Sequence, residues 1–81
     1  MSTVTVQLFA SYADAFGAST IQVQLEDGST VADLLSRIRS QPAGQLLPGT
    51  PRVAVNRKFA SPGEPVAARD EIALIPPVAG G

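Results

Sequence analysis

The sequence has 81 residues, which is enough for one domain with a thin hydrophobic core. It contains no cysteine and no histidine, which excludes disulfides and argues against a transition-metal site or histidine-based catalysis. Seven carboxylates and six basic residues give a net charge of −1, so we expect no binding to nucleic acid or to an anionic membrane surface.

Hydropathy gives no reason to expect a targeting or membrane segment. Residues 1–6 lack the basic region and the long apolar region of a secretory signal peptide. No stretch of the sequence approaches the length of apolar residues that a membrane span requires. We therefore expect a cytoplasmic domain, with a hydrophobic share of 44% that is ordinary for a globular chain.

Two N-terminal segments, residues 3–9 and 20–25, alternate polar and apolar side chains, which predicts two half-buried strands. Phe9 falls on the face opposite to the apolar residues of its strand. Between the strands, residues 10–16 tolerate a short helix, and Gly17 is placed to end it in a left-handed conformation. The residues expected to face the core are Val4, Val6, Leu8, Ile21, Val23 and Leu25.

The strongest helix signal follows the turn at residues 26–28. Thr30 and Asp33 have the spacing of a capping box, with aspartate in place of the usual glutamate or glutamine. Pro42 is expected to stop this helix. Its apolar residues recur at helical spacing and predict one buried stripe, formed by Val31, Leu34, Leu35 and Ile38.

The second half of the chain predicts short strands joined by turns. Residues 41–51 read as a loop in which Leu46 and Leu47 fold back onto the core, followed by a strand at 52–56. Turns are expected at 56–58 and 61–63, and residues 71–75 form the last strand. The sequence therefore predicts an α+β fold, with a mixed sheet of four or five strands packed on one main helix.

The last strand places apolar residues on both of its faces. If Ile72 and Leu74 point inward, Ile75 points outward, as does Phe9. Should the first and last strands be neighbours, Phe9, Ala73 and Ile75 would form an exposed apolar patch. Such patches often mark partner sites, although single exposed apolar residues are common.

The C-terminal residues predict a narrow, stiff extension of the domain. Pro76 and Pro77 cannot donate to a sheet and should end the last strand, and the residues beyond them are small. We expect a domain at residues 1–76 and an extended tail at residues 77–81, which can reach roughly 17 Å at about 3.4 Å per residue. A tail of this kind can enter a tunnel in another protein and present the α-carboxylate of Gly81.

Residues 70–81, Asp-Glu-Ile-Ala-Leu-Ile-Pro-Pro-Val-Ala-Gly-Gly, resemble the end of the small subunit of molybdopterin synthase. These MoaD-like sulfur carriers have the ubiquitin-like β-grasp fold, so the resemblance implies that fold here. One departure is that Arg69 stands where the family often has glycine, which indicates a different turn before the last strand. The resemblance extends upstream to Leu8-Phe9-Ala10, Gly17, Thr30-Val31, Leu34-Leu35 and Ala54-Val55-Asn56.

The resemblance implies that Gly81 carries sulfur. A ubiquitin-activating-type enzyme, using ATP and Mg, would adenylate its carboxylate, and a sulfur donor would convert the adenylate to a thiocarboxylate. The large synthase subunit would then receive the tail and pass the sulfur to cyclic pyranopterin monophosphate. Phe9 and Ile75 would be docking residues, and the chain itself would bind no cofactor or metal. The expected partner contacts along the tail are Pro76, Pro77, Val78 and Ala79, and Gly80 is expected to act with Gly81 at the catalytic end.

Several alternatives share this end of the chain. Carriers for thiamine or cysteine biosynthesis also end in Gly-Gly, and a ubiquitin-like modifier would join lysines through Gly81. A binding module of the same fold would need no chemistry at Gly81. The fate of the Gly81 carboxylate distinguishes these functions. The basic residues Arg52, Arg57 and Lys58 are interpreted as a solvated edge, with pairing to partner carboxylates as the alternative.

Overall fold

A computed structural model describes residues 2–42, 44 and 51–76, so the expected positions of Leu46 and Leu47 lie outside the described residues. None of the described helices is long and apolar enough to cross a membrane. The described elements are β1 (Ser2–Leu8), α1 (Ala10–Phe16), β2 (Thr20–Leu25), α2 (Val31–Arg39), β3 (Arg52–Val55), β4 (Lys58–Phe59) and β5 (Ile72–Ile75).

The strands form a mixed sheet in the order β2-β1-β5-β3-β4. Strands β1 and β5 are parallel, and the other neighbouring pairs are antiparallel. The last strand therefore inserts in the middle of the sheet, beside the first, with Val6 opposite Ile72 and Leu8 opposite Leu74. The β-grasp fold expected from the sequence is confirmed, with five strands and a short helix α1 in addition to the main helix.

The core lies between one sheet face and helix α2. Helix α2 buries Val31, Leu34 and Ile38, whereas Leu35 lies half-buried at the margin of the predicted stripe. Each fully buried aliphatic side chain stabilises the fold by about 1.5–3 kcal/mol relative to its exposed state. The core-facing residues of the strands are Val4, Val6, Leu8, Val23, Leu25, Val53, Ile72 and Leu74.

The ends of helix α2 are set by side-chain hydrogen bonds. The Asp33 amide donates to Thr30 Oγ1 (3.4 Å), and the Thr30 amide donates to Asp33 Oδ2 (2.9 Å), which confirms the capping box. At the other end, Ser40 Oγ donates to the Arg37 carbonyl (2.6 Å). The helix therefore ends at Arg39, before Pro42.

The hairpin between β3 and β4 differs from the sequence prediction. Lys58 belongs to β4 and not to the turn, which consists of Asn56 and Arg57 alone. Both turn residues have positive φ, 53° and 70°, as a two-residue hairpin of type I′ requires. Asparagine tolerates this conformation, but arginine is unusual in it, so composition did not indicate such a tight turn.

The turn before β5 explains how Arg69 replaces the glycine of the resembled family. Arg69 is not among the residues with positive φ. Instead, the Ala67 amide donates to Asp70 Oδ2 (2.8 Å), and the Asp70 amide donates to the Ala67 carbonyl (3.0 Å). The carboxylate closes the turn, so glycine is not needed at position 69.

Tyr12 is the buried residue of helix α1, and its hydroxyl has no hydrogen-bond partner among the described residues. Burial raises the pKa of Tyr12, and the positive charge of Arg39 opposes this rise. Tyr12 is the only tyrosine in the chain, so phenolate absorbance reports on this residue alone.

We predict that the free energy of unfolding of the parent chain falls at alkaline pH and that Tyr12→Phe removes this fall. The unfolded chain ionises near pH 10, whereas the folded chain resists ionisation, so the free energy of unfolding falls as pH rises above about 10. At neutral pH the free energy of unfolding of the variant should equal or exceed that of the parent, because no described hydrogen bond is lost. Urea unfolding of both proteins at neutral and alkaline pH tests this. A parallel loss of stability in both would contradict it.

Candidate functional site

The structure brings together those predicted docking residues that it describes. Because β1 and β5 are parallel, their carboxyl ends meet at one edge of the sheet, where Phe9 follows β1 and Pro76 follows β5. Ile75 lies beside them at the end of β5. The predicted contacts Pro77, Val78 and Ala79, and the predicted catalytic residues Gly80 and Gly81, lie outside the described residues.

The sheet face opposite to α2 contains a shallow apolar depression, which we call the outer-face groove. Small residues form its floor, because Ala73 pairs with Ala54 and Ala54 pairs with Phe59 across the strands. Phe9 and Phe59, 46% and 61% exposed, are the large hydrophobic residues left open to solvent in the described chain. The groove has a volume of about 280 Å³ and is lined by Gln7, Phe9, Ala54, Arg57, Phe59, Glu71, Ala73 and Ile75.

Basic side chains lie near the two ends of the groove, Arg52 opposite Ile75 and Arg57 beside Glu71. The Arg52 guanidinium lies 4.8 Å from the centroid of the Phe59 ring, a cation–π contact. Arg57 Nε lies 3.6 Å from Glu71 Oε2, in an exposed pair that contributes at most about 1 kcal/mol. Arg52 and Arg57 therefore have contacts within the chain. These contacts are weak enough for contacts with a partner to replace them.

A hydrogen-bond network fixes the β3–β4 hairpin to the start of β5. The Asn56 side chain donates to Asp70 Oδ1 (3.1 Å) and accepts from the Glu71 amide (2.9 Å). The Asn56 amide in turn donates to the Glu71 carbonyl (2.7 Å). This network holds β4, and with it Phe59, beside the groove floor.

Phe59 is the groove residue that sequence reasoning missed. Strand β4 has two residues, which is too short for alternation to reveal which face Phe59 occupies. The available signal was the turn-forming Asn56 directly after a strand, since a two-residue hairpin would place Phe59 opposite Ala54. No three described Asp or Glu side chains are grouped so that they could hold a metal ion.

Comparison with known proteins places this chain in a family. A profile described as the ThiS family matches residues 6–81. Small archaeal modifier protein 1 of Haloferax volcanii is 36% identical over 85 residues, covering 93% of this chain and 97% of the modifier. A crystal structure of SAMP1 from Haloferax volcanii superimposes with a TM-score of 0.81 at 32% identity, covering 99% of this chain and 100% of that chain.

More distant structures share the fold. A putative molybdopterin converting factor, subunit 1, from Pyrococcus furiosus has a TM-score of 0.83 at 23% identity, covering 96% of this chain and 100% of its own. Subunits 1 and 2 of molybdopterin-converting factor from Helicobacter pylori form a protein–protein complex, in which the matched chain has a TM-score of 0.70 at 20% identity. That match covers 98% of this chain and 99% of the other. The profile match and the 36% sequence identity to the archaeal modifier decide the assignment. The chain belongs to the ThiS family of ubiquitin-like proteins.

Proposed function

We propose that this chain is a sulfur carrier that acts as the small subunit of a cytoplasmic molybdopterin synthase. The observation that carries the proposal is that the outer-face groove runs along β5, the strand that leads to Gly81, and reaches Phe9 and Ile75 at its carboxyl end. A partner that covers Phe9 and Ile75 would bind where the tail leaves the domain. Docking and delivery of the carboxylate would then occur at one edge of the sheet.

The proposed chemistry takes place on the Gly81 carboxylate. A carboxylate oxygen attacks the α-phosphorus of ATP, and pyrophosphate leaves. A hydrosulfide-equivalent nucleophile then adds to the acyl carbon, and AMP leaves with the electrons of the broken C–O bond. The thiocarboxylate sulfur then attacks a carbon of cyclic pyranopterin monophosphate and displaces the oxygen bound there, which leaves with the electrons of the C–O bond and gives a thioester to Gly81. Water adds to the acyl carbon, the acyl C–S bond breaks with its electrons on sulfur, and Gly81 returns to the carboxylate while the sulfur stays on the pterin.

The partners supply the catalytic groups in this proposal. The chain has no cysteine and no histidine, so its own contribution is a reactive terminus and a surface that positions it. An adenylating enzyme of the ubiquitin-activating type would bind ATP and Mg, and a separate donor would provide sulfur. Sulfur transfer would require the large synthase subunit, so the chain is catalytic only as part of that complex.

The groove fits a partner that presents an apolar projection with acidic residues around it. Phe9, Ile75 and Phe59 supply the apolar contact area, and aromatic residues of this kind commonly dominate binding energy. Arg52 and Arg57 at the rim would favour carboxylates on the partner, mainly through orientation and association rate. The complex of two molybdopterin-converting factor subunits from Helicobacter pylori supports a second subunit as the partner.

We predict that deleting Gly81 abolishes molybdopterin formation by the reconstituted synthase. The buried core residues of the described chain lie between Val4 and Leu74, so the deletion should leave the free energy of unfolding unchanged. A chain with one alanine added after Gly81 keeps both glycines but displaces the carboxylate, and should also be inactive. A truncated chain that folds and still supports product formation would contradict the proposal.

A second candidate is a ubiquitin-like modifier that is joined to lysines through Gly81. The 36% identity to small archaeal modifier protein 1 favours this candidate. Activation would be the same, but a lysine amine would attack the acyl carbon and form an isopeptide bond. Mass spectrometry of trypsin-digested cell proteins distinguishes the two. Lysines that carry a remnant of this chain's terminus would support the modifier, and their absence alongside sulfur transfer would support the carrier.

A further inference from the structure

Lys58 is the only lysine in the sequence, and the other five basic residues are arginines. An arginine guanidinium stays protonated in proteins, whereas a lysine amine can lose its proton and act as a nucleophile toward a carbonyl carbon. The sequence also has no cysteine and no histidine. Lys58 is therefore the only side chain that offers an amine to an activated acyl group.

The structure leaves the Lys58 side chain accessible. Lys58 is exposed in β4, the two-residue strand at one edge of the sheet. Its ammonium group forms no ion pair with any carboxylate in the part of the chain that the structure describes, whereas the neighbouring Arg57 pairs with Glu71. An approaching acyl group would therefore have no described salt bridge to break at Lys58.

Lys58 and the outer-face groove lie on opposite faces of the sheet. Lys58 pairs with Val55, whose side chain packs against the core, and directly opposite residues of antiparallel strands share a face. The next residue, Phe59, pairs with Ala54 and lines the groove. A partner bound in the groove therefore need not cover Lys58, so a docked copy of the chain keeps its amine available.

Lys58 lies far from the point where the tail of its own copy leaves the sheet. Through the strand pairs of β3, Lys58 is level with Ile72 at the start of β5. The tail leaves after Ile75, roughly 10 Å further along the sheet and roughly 10 Å to one side, from about 3.3 Å per residue and about 4.8 Å per strand. The two prolines that follow Ile75 have fixed φ and oppose an immediate reversal of the chain. The geometry therefore favours the Lys58 amine of a second copy as the acceptor of Gly81.

We propose that Lys58 is a modification site, at which one copy of the chain accepts the activated Gly81 of another. The inference rests on adenylation of Gly81, a step that both candidate functions include. The neutral Lys58 amine adds to the acyl carbon of the adenylate, the C–O bond to AMP breaks with its electrons on oxygen, and the nitrogen releases a proton to solvent. Because each copy has one lysine and one C-terminal carboxylate, repeated conjugation through Lys58 gives a linear polymer with a single type of isopeptide linkage.

Incubation of the full chain with ATP, Mg and its adenylating enzyme, without a sulfur source, tests the proposal. We expect the intact mass of the adenylate and, in addition, a product with the mass of two chains less one water. Trypsin cleaves after Arg57 and Arg69, so the linked copies should yield the peptide of residues 58–69 with residues 70–81 attached to Lys58. The matched variant Lys58→Arg keeps the charge but lacks the amine, and should form the adenylate without the two-chain product.

The outcomes separate this inference from the proposed function. The branched peptide at Lys58, together with its loss in Lys58→Arg, would establish the site. An adenylate without any two-chain product would overturn the inference and leave the activation of Gly81 intact. Linkage through the α-amine of Met1, a single chain that has lost one water, or an undiminished two-chain product from Lys58→Arg would also overturn it. Absence of the adenylate, with an adenylating enzyme shown to be active in the same mixture, would contradict the proposed function and the inference together.

Discussion

Phe9→Asp is expected to weaken binding to the large synthase subunit by about 30-fold or more, which corresponds to about 2 kcal/mol. Phe9 is 46% exposed beside the end of β5, where the chain leaves the sheet. A partner that covers the groove would therefore bury it. The fold should tolerate this change. Phe9 is the N-cap residue of α1 and makes no side-chain cap, whereas aspartate is a favoured N-cap residue. Titration calorimetry with the purified large subunit measures the effect.

Variants on the same sheet face separate docking from general surface charge. Ile75→Asp and Phe59→Ala should also weaken binding, because both residues line the groove. Thr3→Asp adds the same charge at an exposed residue outside the groove and should leave affinity unchanged. Full affinity in Phe9→Asp, or an equal loss in Thr3→Asp, would remove the outer-face groove from the interface.

Gly44→Ala is expected to lower the free energy of unfolding by about 1–3 kcal/mol. A Cβ at Gly44 would collide with the Ile38 carbonyl oxygen, and would lie 2.7 Å from the Ile38 carbonyl carbon and 2.9 Å from Arg39 Cα. These are backbone atoms at the end of α2, so no side chain can turn away to make room. Gly44 also donates a hydrogen bond to the Gln41 carbonyl (2.9 Å), which fixes its position.

The matched control for Gly44 is Gly63→Ala. A Cβ at Gly63 would meet no atom within 4 Å, and its φ lies outside the positive range. We therefore expect a change of less than about 0.5 kcal/mol in the free energy of unfolding, as is usual for open surface positions. Urea denaturation of both variants tests the difference. Equal stability of Gly44→Ala and the parent would show that the chain after α2 adjusts without cost.

The sequence predicted those parts of the fold in which one face is buried and the other solvated. Alternation located β1 and β2, and the capping box with its apolar stripe located α2, because these patterns reflect burial directly. The sequence pattern did not reveal β4, because the pairing of a two-residue strand depends on the turn at Asn56 and Arg57. The order of the strands also depends on contacts distant in sequence, which local patterns do not encode.

The candidate site was predicted in part for the same reasons. Phe9 and Ile75 stood out because each is apolar on the face expected to be polar, and the structure places them at one edge of the sheet. Phe59 joins them only through the register of β3 and β4. Its role as the far wall of the groove therefore became visible only with the fold, and the functions of all three residues remain predictions.

The most direct test of sulfur carriage is the intact mass of the full chain after incubation with ATP, Mg, its adenylating enzyme and a sulfur source. We predict a mass increase equal to the exchange of one oxygen for one sulfur. The increase should require ATP and should be absent from the chain that lacks Gly81. An unchanged mass, with an adenylating enzyme shown to be active in the same mixture, would contradict the assignment of this chain as a sulfur carrier.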